Sequence, residues 1–177
     1  MSLSLCGTTN KNMTAFSASK RALFRGRIAR NSDYLRPPWA IDEYHFVDSC
    51  QDCTACLKAC TENIIQLDSR QQPIINFQQG ECTFCGDCLS ACETGALLKT
   101  SESQQPWTAT VVLGPDCLSE QKTLCRSCGE VCEHRAIHFP LSVQGIVSPE
   151  INTEKCNGCG ACIAICPTQA LNVYYQN

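Results

Sequence analysis

Sixteen of the seventeen cysteines in this chain fall into four groups at ligand spacing. The first is CQDCTACLKAC, carrying Cys50, Cys53, Cys56 and Cys60. The second is CTFCGDCLSAC, with Cys82, Cys85, Cys88 and Cys92, and the fourth is CNGCGACIAIC, with Cys156, Cys159, Cys162 and Cys166. All three read C-x2-C-x2-C-x3-C. The third group, CLSEQKTLCRSCGEVC, keeps the x2 and x3 steps at Cys125, Cys128 and Cys132 but places seven residues between its first cysteine, Cys117, and Cys125. Three thiolates at successive x2 steps wrap a tight loop around three irons of a cube, and the x3 step sends the fourth thiolate away. In two-cluster ferredoxins that fourth cysteine ligates the cluster of the partner motif. Zinc fits less well, because a structural zinc site takes two separated pairs in a tetrahedron and leaves the middle cysteine of each trio unused.

Pairing the motifs in chain order therefore predicts four 4Fe–4S clusters as cofactors. Cys50, Cys53 and Cys56 would hold one with Cys92, and Cys82, Cys85 and Cys88 another with Cys60. Cys117, Cys125 and Cys128 would hold a third with Cys166, and Cys156, Cys159 and Cys162 a fourth with Cys132. Each pair of motifs closes a unit of roughly 50 to 70 residues, too small to bury a large core, so the clusters serve as its staples. The flanking sequence must supply the elements that position these loops. The apolar runs PIINF (73–77) and ALNVYY (170–175) read as strands, and LSACETGALL (89–98) and CIAICPTQAL (162–171) as a short helix and its exit. The expected fold class is α+β, two tandem bacterial two-cluster ferredoxin-like units with a basic N-terminal extension. The polar stretch KTSESQQPWTAT (99–110), with Pro106, marks the boundary between them, and Trp107 is expected to pack at the junction. This gives an arm over 1–40 and cluster-binding domains over 41–100 and 101–177.

Composition agrees with metal-ligating thiols. At 177 residues, 44% hydrophobic and 18% charged, the chain is globular in composition, with a cysteine density typical of a disulfide scaffold or a metal protein. Disulfides need export, and MSLSLCGTTNKNMTAF offers no apolar core of signal-peptide length. Thiols kept reduced in the cytosol act as ligands. Ser19, Lys20 and Arg21 faintly resemble a twin-arginine signal, but Arg25, Gly26, Arg27, Arg30 and Asp33 interrupt every apolar window behind them. No stretch reaches the eighteen apolar residues of a membrane span.

Charge is divided unevenly. Residues 1–40 hold seven Lys or Arg against one acid, a net of +6, and residues 41–177 hold seven against sixteen, a net of −9. In the segment SKRALFRGRIAR, Lys20, Arg21, Arg25, Arg27 and Arg30 alternate with Leu23, Phe24 and Ile28. That pattern suits a short segment that folds onto one partner surface, the alternative being a solubilising tail. Nucleic acid is excluded as a partner by the acidic body, which phosphate repels. His45, His134 and His138 fall at no cysteine slot and read as solvated or core residues; Cys6 is an uncommitted thiol. No phosphate loop, nucleophile elbow or paired-carboxylate pattern is visible, so no catalytic residue is expected.

The basic segment, the RPPW run at Arg36–Trp39, and four cysteine motifs of which the third is stretched and the last ends in Pro167 resemble, in that order, the NapF family of ferredoxin-type accessory proteins of periplasmic nitrate reductase systems. Residues 1–15 stand outside the resemblance. Thr61, Glu93 and Glu133 occupy the position after the fourth cysteine where common ferredoxins place proline. The resemblance implies a cytoplasmic, non-enzymatic protein. It would bind the precursor of the molybdenum-containing nitrate reductase catalytic subunit before export and assist its maturation, by iron–sulfur loading or by keeping it reduced. The competing readings are a general electron-transfer ferredoxin and an electron-transfer subunit of a larger oxidoreductase.

Overall fold

The structure is a computed structural model describing residues 34–140 and 148–175. The segment from Lys20 to Arg30, and Cys6, lie outside the described residues. The first helix, α1 (Glu43–Ser49), is capped by Asp42, whose side chain accepts from the His45 amide, and has Glu43 in its first turn, where the exposed amides favour negative charge. It buries Phe46 and Val47. There follow α2 (Ala55–Ala59), β1 (Ile65–Leu67), β2 (Pro73–Ile75), α3 (Asp87–Ser90) and β3 (Ala109–Leu113). The second half carries α4 (Ser127–Glu130), β4 (Ile137–His138), β5 (Glu150–Ile151), α5 (Ala161–Ala164) and β6 (Leu171–Tyr175).

Two units repeat one order: a cysteine loop and short helix, a hairpin, then a second cysteine loop and helix. The hairpins are antiparallel, β1 on β2 with Ile65 opposite Ile75, and β4 on β5 with Ile137 opposite Ile151. The predicted strand at 73–77 is thus β2, and that at 170–175 is β6. The helices predicted within 89–98 and 162–171 are shorter than one turn-rich run would allow and start ahead of them, at Asp87 and Ala161. They end at Ser90 and Ala164 because Cys92 and Cys166 must turn out of the helix.

The units differ in how they close. The first returns through one bridge, Leu97 on Ala40, and the second through a five-pair ladder of β3 on β6, from Ala109 opposite Tyr175 to Leu113 opposite Leu171. One continuous core nonetheless runs through both, with Leu35, Phe46, Ile64, Phe77 and Leu97 in the same buried cluster as Val111, Ile137, Ile163 and Leu171. Residues from Leu35 onward, counted by charge with the arm, are built into this fold. Leu35, Pro37 and Trp39 are buried, and the Trp39 amide donates to the Pro106 carbonyl at 2.7 Å. Arg36 donates to both Glu43 oxygens, at 3.0 and 2.7 Å, and to Gln72 Oε1 and the Pro73 carbonyl. Its charge therefore serves the interior.

Candidate metal centres

The cysteines surround four cavities. Cys50, Cys53, Cys56 and Cys92 line one, walled by Phe46, Leu67 and Leu97. Cys60, Cys82, Cys85 and Cys88 line a second, walled by Trp39, Ile64 and Ile75. Cys117, Cys125, Cys128 and Cys166 line a third with Leu113, Phe139 and Leu171. Cys132, Cys156, Cys159 and Cys162 line a fourth with Val111 and Ile137. In each case three thiols come from one motif and the fourth from its neighbour. The cause is local: Cys56 lies within α2 and Cys60 just past its end, so one helical turn delivers the two thiols to different cavities.

Two backbone devices build these loops. In the compact motifs, the residues flanking the second cysteine have positive φ: Asp52 and Thr54, Phe84 and Gly86, Gly158 and Gly160. The chain flips on both sides of that cysteine to close an x2 step. The stretched third motif has no such pair among its described residues, since its first thiol arrives on a longer lead. The second device recurs in all four motifs. Three residues past each fourth cysteine the backbone is again left-handed, at Asn63, Gly95, Arg135 and Gln169. In three of the motifs that turn swings a following amide onto the sulfur. Leu97 N–H donates to Cys92 Sγ (3.4 Å), Ala136 N–H to Cys132 Sγ (3.2 Å) and Ala170 N–H to Cys166 Sγ (3.3 Å). The spacing of the cysteines was visible in the sequence; these left-handed corners, occupied mostly by residues other than glycine, were not.

The electrostatics follow the geometry. Burial, together with neighbouring thiols, pushes Cys82 and Cys162 up to about 12 and Cys56, Cys88 and Cys128 up to about 11. Burial acts in the same direction on Cys92 and Cys166. There it is outweighed by amides and by the Thr94 and Thr168 hydroxyls, which hold both thiols below the usual range. The cavities fit an iron–sulfur cube: four soft sulfur donors, largely apolar walls, and amides aimed at ligand sulfurs to stabilise their charge. Among the described residues no three His, Cys, Asp or Glu side chains gather as a single ion requires. The histidines stand outside the rings of thiols. His45 bonds Asp42 at 2.6 Å, His138 bonds Glu150 at 2.9 Å, and His134 meets the Asn157 amide at 2.7 Å at the edge of the fourth cavity. Trp107 packs edge-on to Phe77 and Phe84, with ring centroids 6.1 and 5.4 Å apart. No helix among the described residues is long and apolar enough to cross a membrane.

Comparison with known proteins agrees with this construction. Residues 49–96 and 123–170 each match the 4Fe-4S dicluster domain, the second match starting after Cys117. The chain is 40% identical over 158 residues to the ferredoxin-type protein NapF of Escherichia coli, covering 89% of this chain and 95% of that one. It is 33% identical over 171 residues to the ferredoxin-type protein NapF of Haemophilus influenzae, covering 91% and 96%. It is also 31% identical over 148 residues to the methylamine utilization ferredoxin-type protein MauM of Methylorubrum extorquens, covering 75% and 67%. Two dicluster stretches, and relatives matched along almost their whole length, place the chain in the NapF family of ferredoxin-type 4Fe–4S proteins.

Proposed function

We propose that this chain holds four 4Fe–4S clusters, one in each ring of cysteines, and acts as a cytoplasmic accessory protein of a periplasmic nitrate reductase. It would bind the molybdenum-containing catalytic subunit before export and assist its maturation by iron–sulfur loading or by reduction. The observation that carries the cluster reading is the arrangement of sixteen cysteines as four per cavity around four apolar cavities. Bound clusters supply one-electron redox sites, or iron and sulfide for transfer. The chain's own residues set the rest: the thiols hold, the amides past Cys92, Cys132 and Cys166 tune, and the apolar walls limit water.

The partner reading is supported by the named relatives and by the division of charge. Each oxidised cube of about +2 on four thiolates adds roughly −2 to an already acidic body. The segment from Lys20 to Arg30 carries the opposite sign, and Leu23, Phe24 and Ile28 supply the apolar contacts that salt does not screen. An electron-carrier reading is favoured by the exposure of Cys53 and Cys85, which brings two cavities to the surface.

Anaerobic reconstitution is expected to give about sixteen irons per chain with matching sulfide. Stoichiometric zinc, or about eight irons, overturns the four-cluster reading. Deleting residues 16–30 is expected to leave iron content unchanged and to abolish co-purification with the unexported catalytic subunit. Full-strength capture by the truncated protein moves recognition onto the cluster units and favours the electron carrier.

A further inference from the structure

We propose that the seam between the second and fourth motifs is a built electron bridge, so that the four cysteine cavities form one relay rather than two separate pairs. This rests on the clusters assigned above. The Cys82 amide donates to the Cys159 carbonyl at 2.8 Å. Cys82 lines the second cavity and Cys159 the fourth, so thiol is joined to thiol through two cysteine backbones and one hydrogen bond. Electron tunnelling falls off less steeply along bonded paths than across gaps, which makes this the favoured crossing between units.

The seam is held where the crossing lies. Gly160, directly after Cys159, sits at φ +83 under Phe77, and a methyl group there would run into the ring. Gly158, directly before Cys159, lies so close to Ala109 that a Cβ would stand 2.6 Å from its carbonyl oxygen and 2.7 Å from the Trp107 indole nitrogen. That indole donates to the Asn157 carbonyl at 3.0 Å and packs on Phe77 and Phe84. The close approach that crosses the seam, Gly160 on Phe77, thus falls directly after one ligand, and Gly158 fixes the other side of that ligand against Ala109 and Trp107 within the second unit. Within each unit the short helices continue the path, since Cys56 and Cys60, and Cys128 and Cys132, each reach two cavities from one turn. One electron crosses per event, oxidising the donor side and reducing the acceptor side, with no bond made or broken; a low-potential one-electron reductant supplies it, dithionite in the test.

Full-length protein, reconstituted anaerobically and reduced with dithionite, is compared by EPR with Gly160→Ala, Phe77→Ala and the double variant. Hydrogen exchange of the peptide carrying Cys82 reports whether the seam is closed. Gly160→Ala is expected to raise that exchange and to lose the spin coupling that crosses the seam, leaving the sum of two independent pairs. The double variant regains part of both, because the methyl group takes some of the space vacated by the ring while alanine at position 160 remains strained at a φ of +83. Phe77→Ala removes the ring without a clash and shifts both readouts in the same direction as Gly160→Ala, so the test survives a misfolded Gly160→Ala. An opened seam with unchanged coupling overturns the bridge, and unchanged exchange in Phe77→Ala overturns the lock. Iron content separates the two readings: a wild-type chain that takes up no iron fails the cluster assignment, whereas a loaded chain with no seam-dependent coupling fails the bridge alone.

Discussion

The first unit approaches its opening cysteine from a helix, and the second from a loop. In the first, α1 runs directly into Cys50, Arg36 clamps the helix to the hairpin, and a single bridge closes the return. In the second, the five-pair ladder of β3 on β6 carries the closure, and Cys117 hangs on a lead whose Ser119 hydroxyl donates to the Cys125 carbonyl at 2.8 Å. What does not vary is the corner after the fourth cysteine, left-handed at its third residue in all four motifs. The contrast teaches that a cluster cavity dictates the exit of its chain, where amides must face sulfur, while the entry of the first ligand can be built in more than one way. The frame that pays for rigidity also differs: ion pairs in one unit, strand ladder in the other.

The largest break in this comparison is expected at Arg36. Its side chain is 9% exposed, between the Glu43 and Asp68 side chains at 15% and 7%, and its guanidinium stands 5.0 Å over the Phe46 ring. Arg36→Ala leaves two buried carboxylates with no counter-charge, a loss of about 3–5 kcal/mol. Chemical denaturation under anaerobic conditions should show the first unit unfolding and bleaching ahead of the second, where wild type loses both together. Arg36→Lys is expected to recover part of the loss, since an ammonium cannot reproduce the two-pronged contact with Glu43. Equal destabilisation of both units would mean that the shared core, and not the clamp, sets their stability.

A smaller effect of opposite sign in the two loops sharpens the contrast. Thr54, a β-branched residue, is held at φ 60 beside Cys53, whereas Arg126, beside Cys125, has φ −135. Glycine relieves left-handed strain at the first position but only loosens the chain at the second. Thr54→Gly is expected to stabilise by about 1 kcal/mol, and Arg126→Gly to destabilise by about 1 kcal/mol, the latter including its lost contact over Phe139. Thermal unfolding of the two variants checks both signs; destabilisation by Thr54→Gly would show that the compact loop carries no strain.

Which parts were legible in the sequence follows from the same contrast. Cysteine spacing carries the ligand logic because each x2 or x3 step is a covalent distance, readable without tertiary contacts. The strands at 73–77 and 170–175 were readable as apolar runs between turns. By contrast, β4 and β5 are two residues each and exist through pairing, so Ile137 and Ile151 give no local signal. Arg36 reads as part of the arm over 1–40 because charge alone does not tell that Glu43, and Asp68 much farther along the chain, converge on it. The seam at Gly160 was equally hidden: glycine after a cluster cysteine is explained locally by its φ, and its contact with Phe77 is a tertiary fact.

The smallest effect concerns the cap of α1, an element without a counterpart ahead of Cys117. Asp42 Oδ1 accepts from the His45 amide at 3.2 Å and Oδ2 bonds the His45 ring at 2.6 Å. The bond to His45 holds the carboxyl below its ordinary range. A carboxylate with a lowered folded pKa contributes stability that is complete above its unfolded value, near pH 4, and is lost as pH falls through the folded value. Both side chains are more than half exposed, so solvent screening keeps the contribution below about 1 kcal/mol. Acidification should therefore speed hydrogen exchange at Phe46 and Cys50, whose amides bond Asp42 and Phe46, before it touches the β3–β6 ladder. Asp42→Asn keeps a capping oxygen but carries no charge to lose, so its exchange at α1 is expected to lack that acid step. An acid step of equal size in Asp42→Asn would place the pH dependence elsewhere in the first unit, and a step shared by the ladder would erase the distinction between a capped entry and a paired one.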